Sequence, residues 1–439
     1  MRRSIIVGCG VLLAVAVGCG GGGSSTPDAG GIDGDAATID SAIETAVDHP
    51  PASTPVTLSS SDALVFAAGQ DGDGAWRKLT AAGAAERYVL DVTGARYGLA
   101  YGCGNAVGDS ISITIINATV AETARVTVAC GAAATEPPVT ITGTVAGLIG
   151  TQTAQIDVGG RSGTATAAAP GYSVMPPSGM RDLFARRLVD APTFDRMIRR
   201  NAVTIAAGAT FNLDFTTEGF APETRTVTFE GAASTDTTSV LVIFRNAGGS
   251  PFSTGSFPMG TYLAIPAAEL RAGDYHSVVA GVSDAFSGTT RRVRRIFTAA
   301  MNFTALLPEP QSISVGPGMT VPYIRPRLAL ASPLGADRDD VTFSQAETAP
   351  ARTRTWSVQI TRGWAAAAGT GTVEYFVPDL SAVAGYQAWW ALTAASTQLQ
   401  LFSNWSDAGV ADLLRADQTV AELDGREYKI VQTSTELSF

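Results

Sequence analysis

From residue 55 onward, apolar and polar side chains alternate with a period of two over most of the chain. Such alternation sends successive side chains to opposite sides of an extended backbone, so it predicts half-buried strands rather than helices. The clearest runs lie at 63–67, 87–92, 110–116 and 125–130. Between them, Gln70-Asp71-Gly72-Asp73-Gly74 and Gly102-Cys103-Gly104-Asn105 carry turn chemistry. A linker over 132–138 is followed by strand-like runs at 140–145, 154–158, 162–167, 171–174, 182–188, 196–205 and 210–215. Further runs occur at 239–245, 261–265, 276–282 and 289–298, and then at 354–361, 371–377, 397–402 and 426–433, with a short helical turn over 410–415.

These groupings divide the body into four β units, at 55–135, 136–232, 233–309 and 310–439. The expected class is all-β, a row of tandem β-sandwiches of immunoglobulin-like or prealbumin-like type. A single membrane barrel is the competing architecture, but the strands lack the paired aromatic girdles it needs. Arg199-Arg200, Val203-Thr204-Ile205-Ala206-Ala207 and Phe211 are echoed by Arg291-Arg292, Phe297-Thr298-Ala299-Ala300 and Phe303, a sign of common ancestry between the second and third units.

The first 54 residues read differently. Arg2-Arg3 precede an apolar stretch from Ile5 to Val17, the length of a signal-peptide core and too short to span a bilayer. Ala16-Val17-Gly18-Cys19 resembles a bacterial lipobox, and the resemblance implies that residues 1–19 are a lipoprotein signal with Cys19 as the lipidated residue. An ordinary cleaved signal is the alternative. Residues 20–54 are rich in Gly, Ser, Pro and Asp, with six acidic groups and no basic one. Such a segment cannot bury enough apolar surface to order itself, so it is expected to be a disordered acidic tether. A lipidated Cys followed by this kind of tether resembles surface lipoproteins of myxobacteria-like organisms. It implies a cell-envelope location, on the outer membrane, because Gly20 rather than Asp follows the cysteine. In the second unit, Thr142-Gly143-Thr144-Val145, Gly171-Tyr172-Ser173-Val174 and Arg181-Asp182-Leu183-Phe184-Ala185 resemble the carboxypeptidase-regulatory, transthyretin-like β-sandwich. That family is a non-catalytic accessory fold, so the resemblance implies architecture alone.

Composition narrows the chemistry. The chain of 439 residues has 30 basic and 40 acidic side chains, a net charge of −10, which argues against nucleic acid as a partner. Its two histidines are His49, in the tether, and His276, so a zinc site with two His ligands in the body is excluded. No metal or cofactor is expected. With Cys9 and Cys19 assigned to the leader and the anchor, Cys103 and Cys130 remain as a disulfide pair, with two reduced buried thiols as the alternative.

Four constellations are weighed against plainer readings. Asp71-Gly72-Asp73-Gly74 resembles half a calcium loop, but a hairpin turn explains it with fewer assumptions. Asp337, Asp339 and Asp340, with Arg338 among them, read as a solvated loop. Arg291, Arg292, Arg294 and Arg295 would suit an acidic glycan or lipid headgroup, although a charged edge strand is the favoured reading. His276 with Asp274, Ser277 and Asp284 contains hydrolase parts without a nucleophile elbow, so a surface or interface histidine is favoured.

Five of the six tryptophans fall in the last unit. Trp389-Trp390 are adjacent, so on a strand one ring would face the core and the other solvent, where it could contact a ligand. A Trp-rich core is the plainer reading. Together these features point to a non-enzymatic, lipid-anchored surface module that binds a glycan or an envelope protein, or is structural. The alternatives are a secreted hydrolase built on convergent carboxylates and an accessory subunit of an outer-membrane complex.

Overall fold

The structure, a computed structural model, describes residues 53–439 apart from 84–85, 105–107, 131–136, 191–192, 248–250, 258–259, 311–312, 322, 333 and 439. Cys19, the leader and nearly all of the acidic tether lie outside the described residues. The described residues are nearly all β, with three α-helices of four to seven residues among them. None of the described helices is long and apolar enough to cross a membrane.

The strands of the described residues fall into four groups of seven. The first comprises β1 (Thr54–Ser60), β2 (Phe66–Asp71), β3 (Arg77–Lys78), β4 (Arg87–Val92), β5 (Arg96–Gly104), β6 (Ser110–Thr119) and β7 (Arg125–Val128). The second comprises β8 (Ile141–Ala146), β9 (Thr153–Val158), β10 (Arg161–Thr166), β11 (Gly171–Val174), β12 (Gly179–Asp190), β13 (Thr193–Ile205) and β14 (Leu213–Asp214). The third comprises β15 (Glu223–Glu230), β16 (Thr237–Arg245), β17 (Pro251–Phe257), β18 (Thr261–Ala264), β19 (Tyr275–Ser283), β20 (Thr290–Phe297) and β21 (Phe303–Leu306). The last comprises β22 (Ser314–Met319), β23 (Arg325–Ser332), β24 (Arg338–Thr348), β25 (Ala351–Thr361), β26 (Gly371–Phe376), β27 (Ser396–Ser406) and β28 (Glu427–Ser438).

The first three groups share one topology. In each, the first strand is central in a small sheet, antiparallel to the fourth strand and parallel to the seventh: β4-β1-β7, β11-β8-β14 and β18-β15-β21. In each, a facing sheet orders the remaining strands third, second, fifth, sixth. The last group repeats the facing sheet as β25-β24-β27-β28 and pairs β23 with β26 in the small one. There β22, which precedes the others in the chain, takes the place of the parallel seventh strand and runs antiparallel.

Three of the four facing sheets are welded edge to edge. β20 pairs antiparallel with β28, and β25 pairs parallel with β6, so one sheet of twelve strands runs through the first, third and last groups. The second group keeps a separate four-stranded sheet, β10-β9-β12-β13. Each small sheet closes a core against its facing sheet, as alternation requires. Ile141, Ile156, Val158, Leu183 and Phe215 fill the second, for example. The second and third groups are locked by Arg199, on β13, which is buried and pairs with Asp182 at 3.1 Å and Asp274 at 2.5 Å. Its guanidinium also lies between the rings of Phe184 and Phe244.

Cys103, on β5, and Cys130, just beyond β7, form a disulfide with their Cα atoms 5.2 Å apart. It ties the facing sheet of the first group to its small sheet.

Two expectations are corrected by this topology. Residues 338–340 are not a solvated loop, because Arg338, Asp339 and Asp340 open β24 and are all buried. The arginine-rich strand β20 is not an edge, since β19 flanks it on one side and β28 on the other.

Candidate functional site

The tryptophan-rich region forms around the segment that joins β26 to β27. Asp379 begins it with a local turn, its Oδ1 accepting the Ser381 N–H at 2.9 Å. Gly385 adopts φ +97°, a left-handed conformation that suits glycine, and the chain then enters a single 3-10 turn over Ala388–Trp390. Trp389 and Trp390 are therefore not on a strand. The turn nevertheless separates the two rings. Trp390 is fully buried, while Trp389 is partly exposed.

Aromatic contacts pin this segment to the twelve-stranded sheet. The Trp356 indole N–H, on β25, donates to the Trp390 carbonyl at 2.7 Å. Tyr386 packs edge-on against Trp390, Phe66 and Trp356. Trp390 Nε1 has no hydrogen-bond partner. Trp389 donates to Gln387 Oε1 at 2.7 Å, and the Arg352 guanidinium covers its ring at 5.2 Å from the centroid. Trp356 and Trp364 belong to the core, and Trp405 donates to the Gly335 carbonyl.

Beside this cluster lies a shallow surface notch that encloses about 10 Å³, room for about one water. Trp356, Leu380, Ala391 and Leu392 give it an apolar floor, and Tyr323, Tyr386, Arg325 and Asp379 supply polar groups. Burial raises the Asp379 pKa, but hydrogen bonds from Ser381 and the charge of Arg325 outweigh it and hold the carboxyl below its ordinary value. Arg325 Nε is buried without a partner. The notch has an apolar floor and polar edges but encloses no room for a whole ligand. Sequence reasoning reached the tryptophans by composition. It missed Tyr323, Arg325 and Asp379, whose convergence across β23 and the 377–392 segment leaves no local signal.

The other constellations resolve into structural roles. His276 is fully buried, not at a surface, because β19 turns it into the core beside Phe244 and Phe297. Its Nε2 accepts the Ile265 N–H at 3.2 Å, and burial pushes its pKa down to about 4. Ser277 points to the opposite face and accepts from Arg294, Asp274 is held by Arg199, and Asp284 organises its own hairpin turn. These hydrolase parts do not converge.

Of the four arginines on β20, Arg291 pairs with Asp236 at 2.8 Å and Arg295 with Glu427 at 2.9 Å. Arg292 and Arg294 take the other face by strand alternation.

At the start of β24, Arg338 and Asp340 share one face as a buried ion pair, with Nη2 donating to Oδ2 at 2.8 Å. Asp339 points the other way, where it accepts from Ser403 at 2.6 Å, and burial pushes its pKa up to about 6. The two carboxylates are on opposite sides of the sheet and cannot act as a pair.

Asp71 is a turn anchor, accepting from the Thr93 N–H and hydroxyl and from the Gly94 N–H, and Asp73 pairs with Arg96. Among the described residues no three His, Cys, Asp or Glu side chains gather as metal ligands. No protein-family model and no curated protein matches this chain.

Proposed function

We propose that this chain is a cell-envelope lipoprotein, anchored to the outer membrane through Cys19, whose β body serves as a non-catalytic binding or structural module for a glycan or an envelope protein. The partly exposed ring of Trp389 carries the binding part of this reading. The notch lined by Tyr323, Trp356 and Tyr386 adds a shallow depression with an apolar floor and polar edges. The anchoring part rests on the Gly18-Cys19 junction and the acidic segment after it. A non-catalytic role is favoured over hydrolysis because Asp339 and Asp340 face apart and His276 is a core residue.

Fractionation of cells expressing Cys19→Ser tests the anchor. The wild type is expected in the membrane pellet and the variant in the soluble fraction. A variant that still pellets with membranes refutes it.

A further inference from the structure

The twelve-stranded sheet is open to solvent on one side over β25, β24 and β27. One alternate set of side chains on these strands, including Val341, Phe343, Trp356, Val358 and Leu399, is buried beneath the small sheet β22-β23-β26. The opposite set includes the buried Arg338, Asp340 and Asn404 at one end of the strands, and beyond them Thr342, Ser344, Thr355, Ser357, Gln398 and Gln400, which are partly or fully exposed. Strand register aligns these six in two rows, Gln400–Thr342–Ser357 and Gln398–Ser344–Thr355, which β28 extends at one end with Ser434 and with the exposed carboxylate of Glu436. The Thr342 and Ser357 hydroxyl oxygens are 3.5 Å apart, as are those of Ser344 and Thr355.

None of these six side chains is charged, and each both donates and accepts hydrogen bonds. The rows step from strand to strand at about 4.8 Å, close to the length of one pyranose in an extended chain. Phe402, next on the same face of β27, is partly exposed and offers a ring for the C–H face of a sugar.

We propose that this face is a docking platform for an extended, uncharged polysaccharide laid across the strands, each sugar meeting the hydroxyl or amide of one strand. Charge and polarity select this occupant. An acidic polymer or nucleic acid would find no cation in the two rows and would meet the Glu436 carboxylate beside Gln398, and lipid chains would desolvate the hydroxyls and amides without replacing their hydrogen bonds. A protein partner would need an apolar anchor at the centre, where the rows are polar. The platform is on the face of the sheet opposite Trp356 and the notch it lines, so either site can fail without the other.

Affinity electrophoresis of the full chain in native gels containing galactomannan or hydroxyethyl cellulose tests the platform, with polygalacturonate as the anionic comparison. Retardation is expected in a neutral gel. The apparent dissociation constant should rise at least tenfold in Gln400→Glu and in the triple variant Thr342→Ala/Ser344→Ala/Ser357→Ala, and stay unchanged in Phe286→Ala, whose side chain is exposed in the turn between β19 and β20. Should the triple variant melt early, Gln400→Glu decides, because it alters a solvent-facing side chain. Absence of retardation in both neutral gels, equal retardation of wild type and Gln400→Glu, or preference for polygalacturonate overturns the proposal.

Discussion

Tyr172 and Tyr262 make the same hydrogen bond in successive units. Each is the second residue of its strand, β11 or β18, and each donates its hydroxyl to a carbonyl 39 residues downstream: Phe211 at 2.7 Å and Met301 at 2.6 Å. Both acceptors lie two residues before the parallel strand that closes the unit. The bond thus clips the last connection of each sandwich to its small sheet. Tyr172→Phe and Tyr262→Phe should each cost about 1–2 kcal/mol, because each removes a donor from a partly buried carbonyl. The sites are in different units, so the double variant should show the sum. Chemical denaturation of the single and double variants checks this, and a strongly non-additive double variant would refute the independence of the two clips.

Glu122 and Gly363 join the first and last groups. The Glu122 carboxylate accepts from the Gly363 N–H at 2.6 Å, and also from Thr361 and Thr119. A Cβ on Gly363 would stand 2.5 Å from Glu122 Cδ. Gly363→Ala should therefore displace a carboxylate held by several donors and lower stability by about 1–3 kcal/mol. A variant with the melting temperature of wild type would show that Glu122 can move aside freely.

Asp339 and His276 should pull stability in opposite directions as pH changes. Burial raises the folded-state pKa of Asp339 to about 6, so stability falls as pH rises from about 4 through 6. Burial lowers that of His276 to about 4, so its stabilising effect is complete above about 6.5 and is lost as pH falls toward 4. Each swing amounts to about 3 kcal/mol, and the two largely cancel. Denaturant midpoints at pH 4, 5 and 6.5 should show Asp339→Asn losing stability on acidification and His276→Gln gaining it. Parallel pH profiles for wild type and both variants would exclude these groups as the source.

The two adjacent tryptophans should separate on substitution. Trp390→Ala empties a fully buried site and should cost about 3–5 kcal/mol. Trp389→Ala loses the Arg352 contact and partial packing, at a cost on the order of 1 kcal/mol. Only the second substitution should weaken co-sedimentation with purified peptidoglycan sacculi or outer-membrane polysaccharide without unfolding the protein. Equal destabilisation by both would make both rings core residues and remove the support for a ligand at Trp389.

The β class was legible because short apolar alternation is a local property, as in β4 and β6. The repeat was partly legible as well: the echoed Arg199-Arg200 and Arg291-Arg292 fall on β13 and β20, the same strand of their respective units. β24 was hidden because its first three residues are charged, and their burial is made tolerable by Asn404, Ser403 and the Arg338–Asp340 pair, none of which is visible locally. The turn at Trp389-Trp390 was misread because nothing in Ala-Trp-Trp-Ala marks a turn. The welding of three sheets was illegible, since backbone pairing between distant strands imposes no pattern on either one. The notch and the polar platform both depend on such distant pairings.

The parallel seam between β6 and β25 sets an order on assembly. Along that seam the Asn117 side chain reaches the Gln359 carbonyl, 242 residues further along the chain. A chain emerging from its N-terminus can complete the first sandwich early, yet it must then carry β6, with Ile111, Ile113, Ile115 and Ile116, as a bare edge until the last group arrives. An unpaired, isoleucine-rich edge invites wrong partners. Truncation anywhere before β25 should therefore leave not a smaller soluble protein but a sticky one, and the final quarter of the chain acts as the built-in guardian of the first.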